Sequence, residues 1–231
     1  MISSENPLRV QAETRIKICG LGRAVEIDWV NRLLPDYVGF VFADSRRRVD
    51  LKVAQPLILN LDARIAAVGV FVNETVEQVA HTAATCGLRV VQLHGGESEE
   101  YVCLLRQRLP PGIRIWKAFR IKETQDVSRF LTAAGNRVAD GYLLDAWHPG
   151  QAGGTGEVFD WDLLGTVDCP YLLAGGLTPQ NVARAVQALH PWGIDVSSGV
   201  ETEGRKDETK MAAFVKAVRE ADPERIQERW P

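Results

Sequence analysis

A thiol and a carboxylate each close an apolar, strand-like run in this chain: Arg15-Ile-Lys-Ile-Cys19-Gly20 and Gly141-Tyr-Leu-Leu-Asp145-Ala146. Two further runs end in glycine- or serine-rich turns, Leu172-Leu-Ala-Gly175-Gly176 and Ile194-Asp195-Val-Ser-Ser198-Gly199. A carboxyl group beside apolar neighbours can keep its proton and donate it, and a thiol in a positive field can lose its own and accept another. Backbone amides at glycine turns bind an anion without any cationic side chain. These four ends describe acid–base chemistry on a small phosphorylated molecule, provided that they meet at one face. Either turn alone would read as a tight turn, since glycine is the default there. The pair, in adjacent loops, favours a phosphate site at Gly175, Gly176, Ser198 and Gly199.

Other candidates lie near the same ends. Gln92 and His94, in Val-Val-Gln92-Leu-His94-Gly, are two residues apart on a strand pattern and so face the same way, as hydrogen-bonding wall residues. Asp195 sits near the end of the last strand-like run. Arg46-Arg47-Arg48 follows the second run. Three adjacent arginines usually form a solvated surface, but one folded inward would grip a substrate carboxylate bidentately. No second histidine stands at ligand spacing from His94, so no metal is expected. The cysteines Cys19, Cys86, Cys103 and Cys169 have neither metal-like spacing nor the density of a disulfide framework. They are expected as free thiols, with Cys86 and Cys103, on helical patterns, as small buried hydrophobes. Cys19 alone is ambiguous, because a useful thiolate needs a pKa lowered by a nearby positive field.

The elements that must position these groups follow from the periodicity. Apolar runs at Arg15–Cys19, Tyr37–Phe42, Ala66–Val72, Val90–His94, Ile113–Phe119, Gly141–Asp145, Tyr171–Ala174 and Gly193–Ser197 alternate with helix-period stretches. Several runs are continuously apolar, the pattern of parallel strands covered on both faces. Asn73 is a candidate N-cap for the helix that ends before Gly87, and Ser98 for one over Glu99–Leu109. Thr178-Pro179 predicts a helix start, as does Asp207 before Glu208–Ala221. Eight such alternations predict an α/β fold, a single-domain (β/α)8 TIM barrel over residues 15–222, with an N-terminal extension at 1–14 and a C-terminal tail at 223–231. An open doubly wound sheet would carry a glycine fingerprint at its first turn, where this chain has Cys-Gly-Leu-Gly-Arg. In a barrel all the reactive ends fall on the C-terminal face, and the loops after strands 7 and 8 are where phosphate is commonly held.

Composition limits the partners. The 231 residues are 45% hydrophobic and 25% charged, with a net charge of -3, which favours neither nucleic acid nor a membrane surface. No apolar run approaches the ~20 residues of a membrane span. Met1 to Gln11 has no hydrophobic secretion core, so the expected location is cytoplasmic. The expected assembly is a monomer or a homodimer.

The motifs also resemble a known family. Lys17-Ile-Cys19-Gly20-Leu, Gly39-Phe-Val-Phe-Ala, Val68-Gly-Val-Phe-Val-Asn73, Val91-Gln-Leu-His94-Gly and Leu143-Leu-Asp145 occur in the same order in phosphoribosylanthranilate isomerases. So do Gly153-Gly-Thr-Gly-Glu-Val-Phe-Asp-Trp161, Ala174-Gly-Gly-Leu-Thr-Pro-Gln-Asn-Val182, Asp195-Val-Ser-Ser-Gly-Val-Glu201 and Gly204-Arg-Lys-Asp207. The resemblance implies Cys19 as general base, Asp145 as general acid and no cofactor. It implies an Amadori rearrangement of N-(5'-phosphoribosyl)anthranilate to 1-(2-carboxyphenylamino)-1-deoxyribulose 5-phosphate, a step of tryptophan biosynthesis. It also implies an arginine on the anthranilate carboxylate, matched here by Arg47 or its neighbour Arg48, and Asp195 near the ribose hydroxyls. A related sugar-phosphate isomerase or a non-catalytic phosphate-binding barrel would share the fold. The thiol at the first strand end argues against related enzymes that use two aspartates or a Lys/Glu pair.

Overall fold

Eight short strands pair in sequence order, all parallel, and the last closes on the first. They are β1 Arg15–Cys19, β2 Tyr37–Val41, β3 Ala66–Phe71, β4 Val90–Leu93, β5 Arg114–Arg120, β6 Gly141–Asp145, β7 Leu172–Ala174 and β8 Gly193–Val196. The computed structural model describes residues 14–146, 164, 167 and 169–222. Between and after the strands run α1 Ala24–Leu33, α2 Leu51–Leu59, α3 Val76–Cys86, α4 Glu99–Arg108, α5 Thr124–Gly135, α6 Val182–Leu189 and α7 Glu208–Ala221. The Gly153–Trp161 motif, which follows β6, lies outside the described residues, as do most of the extension and the tail.

The period-2 alternation of each strand sorts the core into two layers. Ile16, Ile18, Val38, Phe40, Val91, Leu93 and Ile194 face outward and pack with helix residues such as Ile27, Val30, Val79, Phe214 and Val218. Tyr37, Val68, Val90, Trp116, Leu143 and Leu172 face inward and fill the barrel. Near the N-terminal strand ends, Tyr37, Trp116 and Trp192 interlock with ring centroids 4.8–6.1 Å apart. The lower barrel is therefore a packed plug, and chemistry is confined to the opposite, C-terminal mouth.

Helix boundaries follow local capping chemistry. Ser98 and Asp207 accept from the backbone amides of Tyr101 and Lys210, as the sequence pattern predicts. Two caps differ from expectation. The cap of α3 is Thr75, whose hydroxyl accepts from Gln78 N. Asn73 instead adopts a positive φ of 52° and accepts from Gly96 N, tying the loop after β3 to the loop after β4. Thr178 likewise opens a turn rather than a helix: its amide donates to Asn181 Oδ1, and α6 begins at Val182. Cys86 is buried as expected, but Cys103 is exposed, because it falls just off the α4 face carried by Val102 and Leu105. All four cysteines are free thiols. No helix among the described residues is long and apolar enough to cross a membrane.

Candidate active site at the C-terminal mouth

Cys19 is the last residue of β1 and shares its inward parity with Lys17, two residues below. Gly39, its neighbour across the β1–β2 pair, leaves room for the thiol: a Cβ there would stand 2.6 Å from Cys19 Sγ. Lys17 is fully buried, and an isolated buried ammonium is costly. It is answered on β8, in direct register, by Asp195, whose two carboxylate oxygens both lie 3.0 Å from Lys17 Nζ. Burial alone would lower the lysine's pKa, but Asp195 and Cys19 outweigh it, so Lys17 holds its proton above the ordinary range. A second ammonium, that of Lys206, donates to Ser197 O at 2.9 Å, and its charge reaches Cys19. Even so, burial dominates at the thiol. With Asp195 adding to the rise, it outweighs Lys17 and Lys206, and the Cys19 pKa moves up rather than down. The lowered pKa that sequence reasoning asked of Cys19 is therefore absent from the free protein, because desolvation exceeds the field of the two lysines.

Asp145 ends β6 with the inward parity of Leu143. Asp195 feels the charge of Asp145 and itself acts on Cys19, which places it electrostatically between the thiol and the second carboxylate. His94 Nε2 stands 3.4 Å from Asp145 Oδ2. Behind it, Gln92 Nε2 lies 3.1 Å from His94 Nδ1. The Gln92 amide braces the imidazole from behind and holds its Nε2 edge toward Asp145. Gln92 and His94 thus share a face, with Gln92 buried beneath and His94 turned to the mouth.

Of the three arginines, Arg47 folds inward and Arg48 stays exposed. The Arg47 side chain crosses above Gly20, where a Cβ would meet its Cδ at 2.5 Å. Its Nε and Nη2 donate to the two oxygens of Glu201 at 2.6 and 2.9 Å. Arg46 Nη2 and Lys206 Nζ, each at 2.7 Å, complete the shell of that carboxylate. Burial pushes the Glu201 pKa up, but Arg47 and Lys206 overcome it and hold the carboxyl at about 2. Glu201 and Lys206 face one another across a short hairpin, β9 Glu201–Thr202 and β10 Arg205–Lys206.

The two glycine loops come together. Gly175 and Gly176 have φ of 96° and 62°, a conformation that L side chains rarely adopt. After β8, Ser198–Val200 form a single 3-10 turn. Gly199 lies so close to the other loop that a Cβ would stand 1.8 Å from Leu177 O. A Cβ at Gly175 would come within 2.9 Å of the Ala146 backbone, just beyond Asp145. The ends of β6, β7 and β8 therefore converge as one surface.

Sequence reasoning assigned no role to Lys17, Gly39, Glu201 or Lys206. A lysine two residues before Cys19 on an inward-facing strand was a readable signal, since a charge inside a barrel requires a partner. Glu201 and Lys206 gave no such signal, because the residues they serve are distant in the chain. Among the described residues no group of three or more His, Cys, Asp or Glu side chains is placed to hold a metal ion.

The sequence model for N-(5'phosphoribosyl)anthranilate (PRA) isomerase matches residues 16–217. The N-(5'-phosphoribosyl)anthranilate isomerase of Acetivibrio thermocellus is 46% identical over 216 residues, covering 90% of this chain and 97% of that protein. The Thermotoga maritima phosphoribosyl anthranilate isomerase crystal structure superposes with a TM-score of 0.80 at 32% identity, covering 90% of this chain and 99% of that one. A phosphoribosyl anthranilate isomerase solved in complex with reduced 1-(o-carboxyphenylamino)-1-deoxyribulose 5-phosphate superposes at 0.77, with 31% identity over 90% of this chain and 99% of its own. A thiol, a carboxylate and paired glycine loops at one barrel mouth thus sit within a match that spans nearly the whole chain, which belongs to the N-(5'-phosphoribosyl)anthranilate isomerase family.

Proposed function

We propose that the mouth performs the family's isomerisation, the Amadori rearrangement of N-(5'-phosphoribosyl)anthranilate, with Asp145 as general acid and Cys19 as general base. The observation that carries this reading is the inward parity of both residues at the same end of the barrel, with Asp195 in electrostatic contact with each. Asp145 donates its proton to the furanose oxygen, and the nitrogen lone pair opens the ring to a cationic imine. That cation acidifies the neighbouring C–H. The Cys19 thiolate takes this proton, and the resulting enolamine tautomerises to the ketone. Each proton transfer by a placed group contributes roughly 10²–10⁴-fold.

Arg47 is the arginine we assign to the anthranilate carboxylate, supported by its inward course over Gly20. Gly175, Gly176, Ser198 and Gly199 offer backbone amides to the phosphate in the loops after β7 and β8. Anchoring both ends of the substrate fixes the reacting carbons between acid and base. His94 and Asp195 line the space between the anchors, where the sugar hydroxyls would lie. The net charge and the free thiols support a cytoplasmic enzyme acting on a small phosphorylated molecule rather than on nucleic acid.

The test is the decay of anthranilate-type fluorescence on adding fresh phosphoribosylanthranilate. Cys19→Ala and Asp145→Asn are each expected to lower turnover by about 10²–10⁴-fold while leaving the melting transition in place. Near-native turnover in either variant removes that residue from its role. Binding of the reduced product analogue without turnover by the wild type would identify a non-catalytic barrel.

A further inference from the structure

We infer that Glu201 is a positioning residue for recognition of the substrate carboxylate: it grips one edge of the Arg47 guanidinium so that the other edge faces the mouth. The inference deepens the isomerase reading and rests on it.

A guanidinium carries five N–H donors on two usable edges, one formed by Nε and Nη, the other by the two Nη atoms. Glu201 occupies the Nε/Nη2 edge, at 2.6 and 2.9 Å. Among the described residues none accepts from Arg47 Nη1. The remaining edge is thus a bidentate site for a second carboxylate, held at a fixed angle by the first. The grip is rigid for three reasons. Glu201 begins β9 and is tied at its own carbonyl by Lys210 Nζ at 2.7 Å. Its side chain is only 4% exposed. The Arg47 amide is anchored to Ser45 Oγ at 3.1 Å.

Charge points the same way. Arg46, Arg47 and Lys206 share this one carboxylate, so the cluster keeps a positive excess. A positive excess beside the mouth attracts an anionic aromatic acid, whereas Glu201 alone would repel it. Glu201 therefore neutralises part of the cluster while its geometry directs what is left toward the ligand.

The experiment compares phosphoribosylanthranilate with phosphoribosylaniline, which lacks the carboxylate, in wild type, Glu201→Gln, Glu201→Asp and Arg47→Ala. For Glu201→Gln we expect KM for phosphoribosylanthranilate to rise at least tenfold with kcat within about threefold, and kinetics on the aniline analogue to change little. Glu201→Asp keeps the charge but withdraws the carboxyl by one methylene, and should give an intermediate loss. Combining Glu201→Gln with Arg47→Ala should add no further loss of discrimination, since both act through one guanidinium. Equal losses on both substrates would show a merely structural role and overturn the inference, as would an unchanged preference for the carboxylate. If the Gln variant fails to fold, the Asp variant decides by the same ratio. An inactive wild type would defeat the isomerase reading itself, a result distinct from an active wild type indifferent to Glu201.

Discussion

Cys19 keeps its proton at neutral pH in the free protein, and the reason is burial rather than want of cations. If Cys19 is the base, as proposed, its ionised fraction limits the reaction, so kcat/KM should climb with pH up to the thiol's raised pKa. Lys206 is one of two cations that pull that pKa down. Replacing it with Met should move the ascending limb of the pH–rate profile to higher pH by roughly one unit, a loss of about tenfold at pH 7. A limb that stays in place would remove Lys206 from the activation of Cys19. Lys17 makes a different prediction. Lys17→Met leaves Asp195 as a buried charge without its cation, at a cost of about 3–5 kcal/mol in urea unfolding. With its cation gone, the folded-state pKa of Asp195 rises further above its unfolded 3.8, so the deficit should shrink as pH falls toward that value and grow as pH rises above it. Glu201 runs in the opposite sense: its pKa is held at about 2 against an ordinary 4.5, so its contribution is complete above 4.5 and is lost as pH falls through that window. Stability of the wild type should therefore drop more steeply below pH 4.5 than that of Glu201→Gln. At this scale the placement of the candidate residues that end strands was legible in the sequence, but not that of the groups that surround them. Cys19, Asp145 and His94 could be read because strand position fixes where they point. Glu201 lies 154 residues from Arg47, and only the closed barrel brings them together.

At the level of elements, the strand runs were legible to within a residue or two at their ends, because several are continuously apolar and all alternate with helix-period stretches. Cap residues were less so. Asn73 and Thr75 are both good N-caps by type, and the choice went to Thr75 because Asn73 is drawn away by Gly96 N on the next loop. Thr178 lost its expected role in the same way, to Asn181. Such competition depends on neighbouring loops and is invisible in local spacing. Contact between loops also sets the prediction for the proposed phosphate site. Gly199→Ala puts a methyl 1.8 Å from Leu177 O, and a backbone atom, unlike a side chain, has no rotamer by which to yield. The two loops must part, so the reduced product analogue should bind at least about tenfold more weakly, or about 1.4 kcal/mol. Gly176→Ala is the matched control. Its Cβ meets nothing within 4 Å, and only the left-handed backbone, at φ 62°, resists it. It should cost about 1–2 kcal/mol of stability and leave analogue binding close to that of the wild type. Equal binding losses in the two variants would show that backbone strain, not loop spacing, governs the site.

Over the whole molecule, the barrel separates chemistry from cohesion along its axis. The mouth concentrates charge: Lys17 with Asp195 and Lys206 with Glu201 are buried pairs, and the partly exposed Asp145 lies beside His94. The far end has almost none inside, and closes instead with Tyr37, Trp116 and Trp192, over which Arg114 lays its guanidinium 5.9 Å from the Tyr37 ring. Trp116 is 1% exposed, and Gly141 on the next strand lacks a side chain where a Cβ would strike the indole at 2.6 Å. If cohesion resides there, truncating this one ring should weaken the fold without touching the reaction. Trp116→Ala is expected to cost about 3–5 kcal/mol of unfolding free energy, as for other large-to-small changes of buried aromatics. Turnover per folded molecule, measured well below the new melting temperature, should stay within about twofold of the wild type. The converse variant, Asp145→Asn, should lose turnover and keep its melting temperature. A Trp116→Ala protein that remained folded yet lost activity a hundredfold would mean that packing at the base sets the geometry of the mouth. Acid, base and both anchors would then have to be read as one mechanical unit with the plug beneath them.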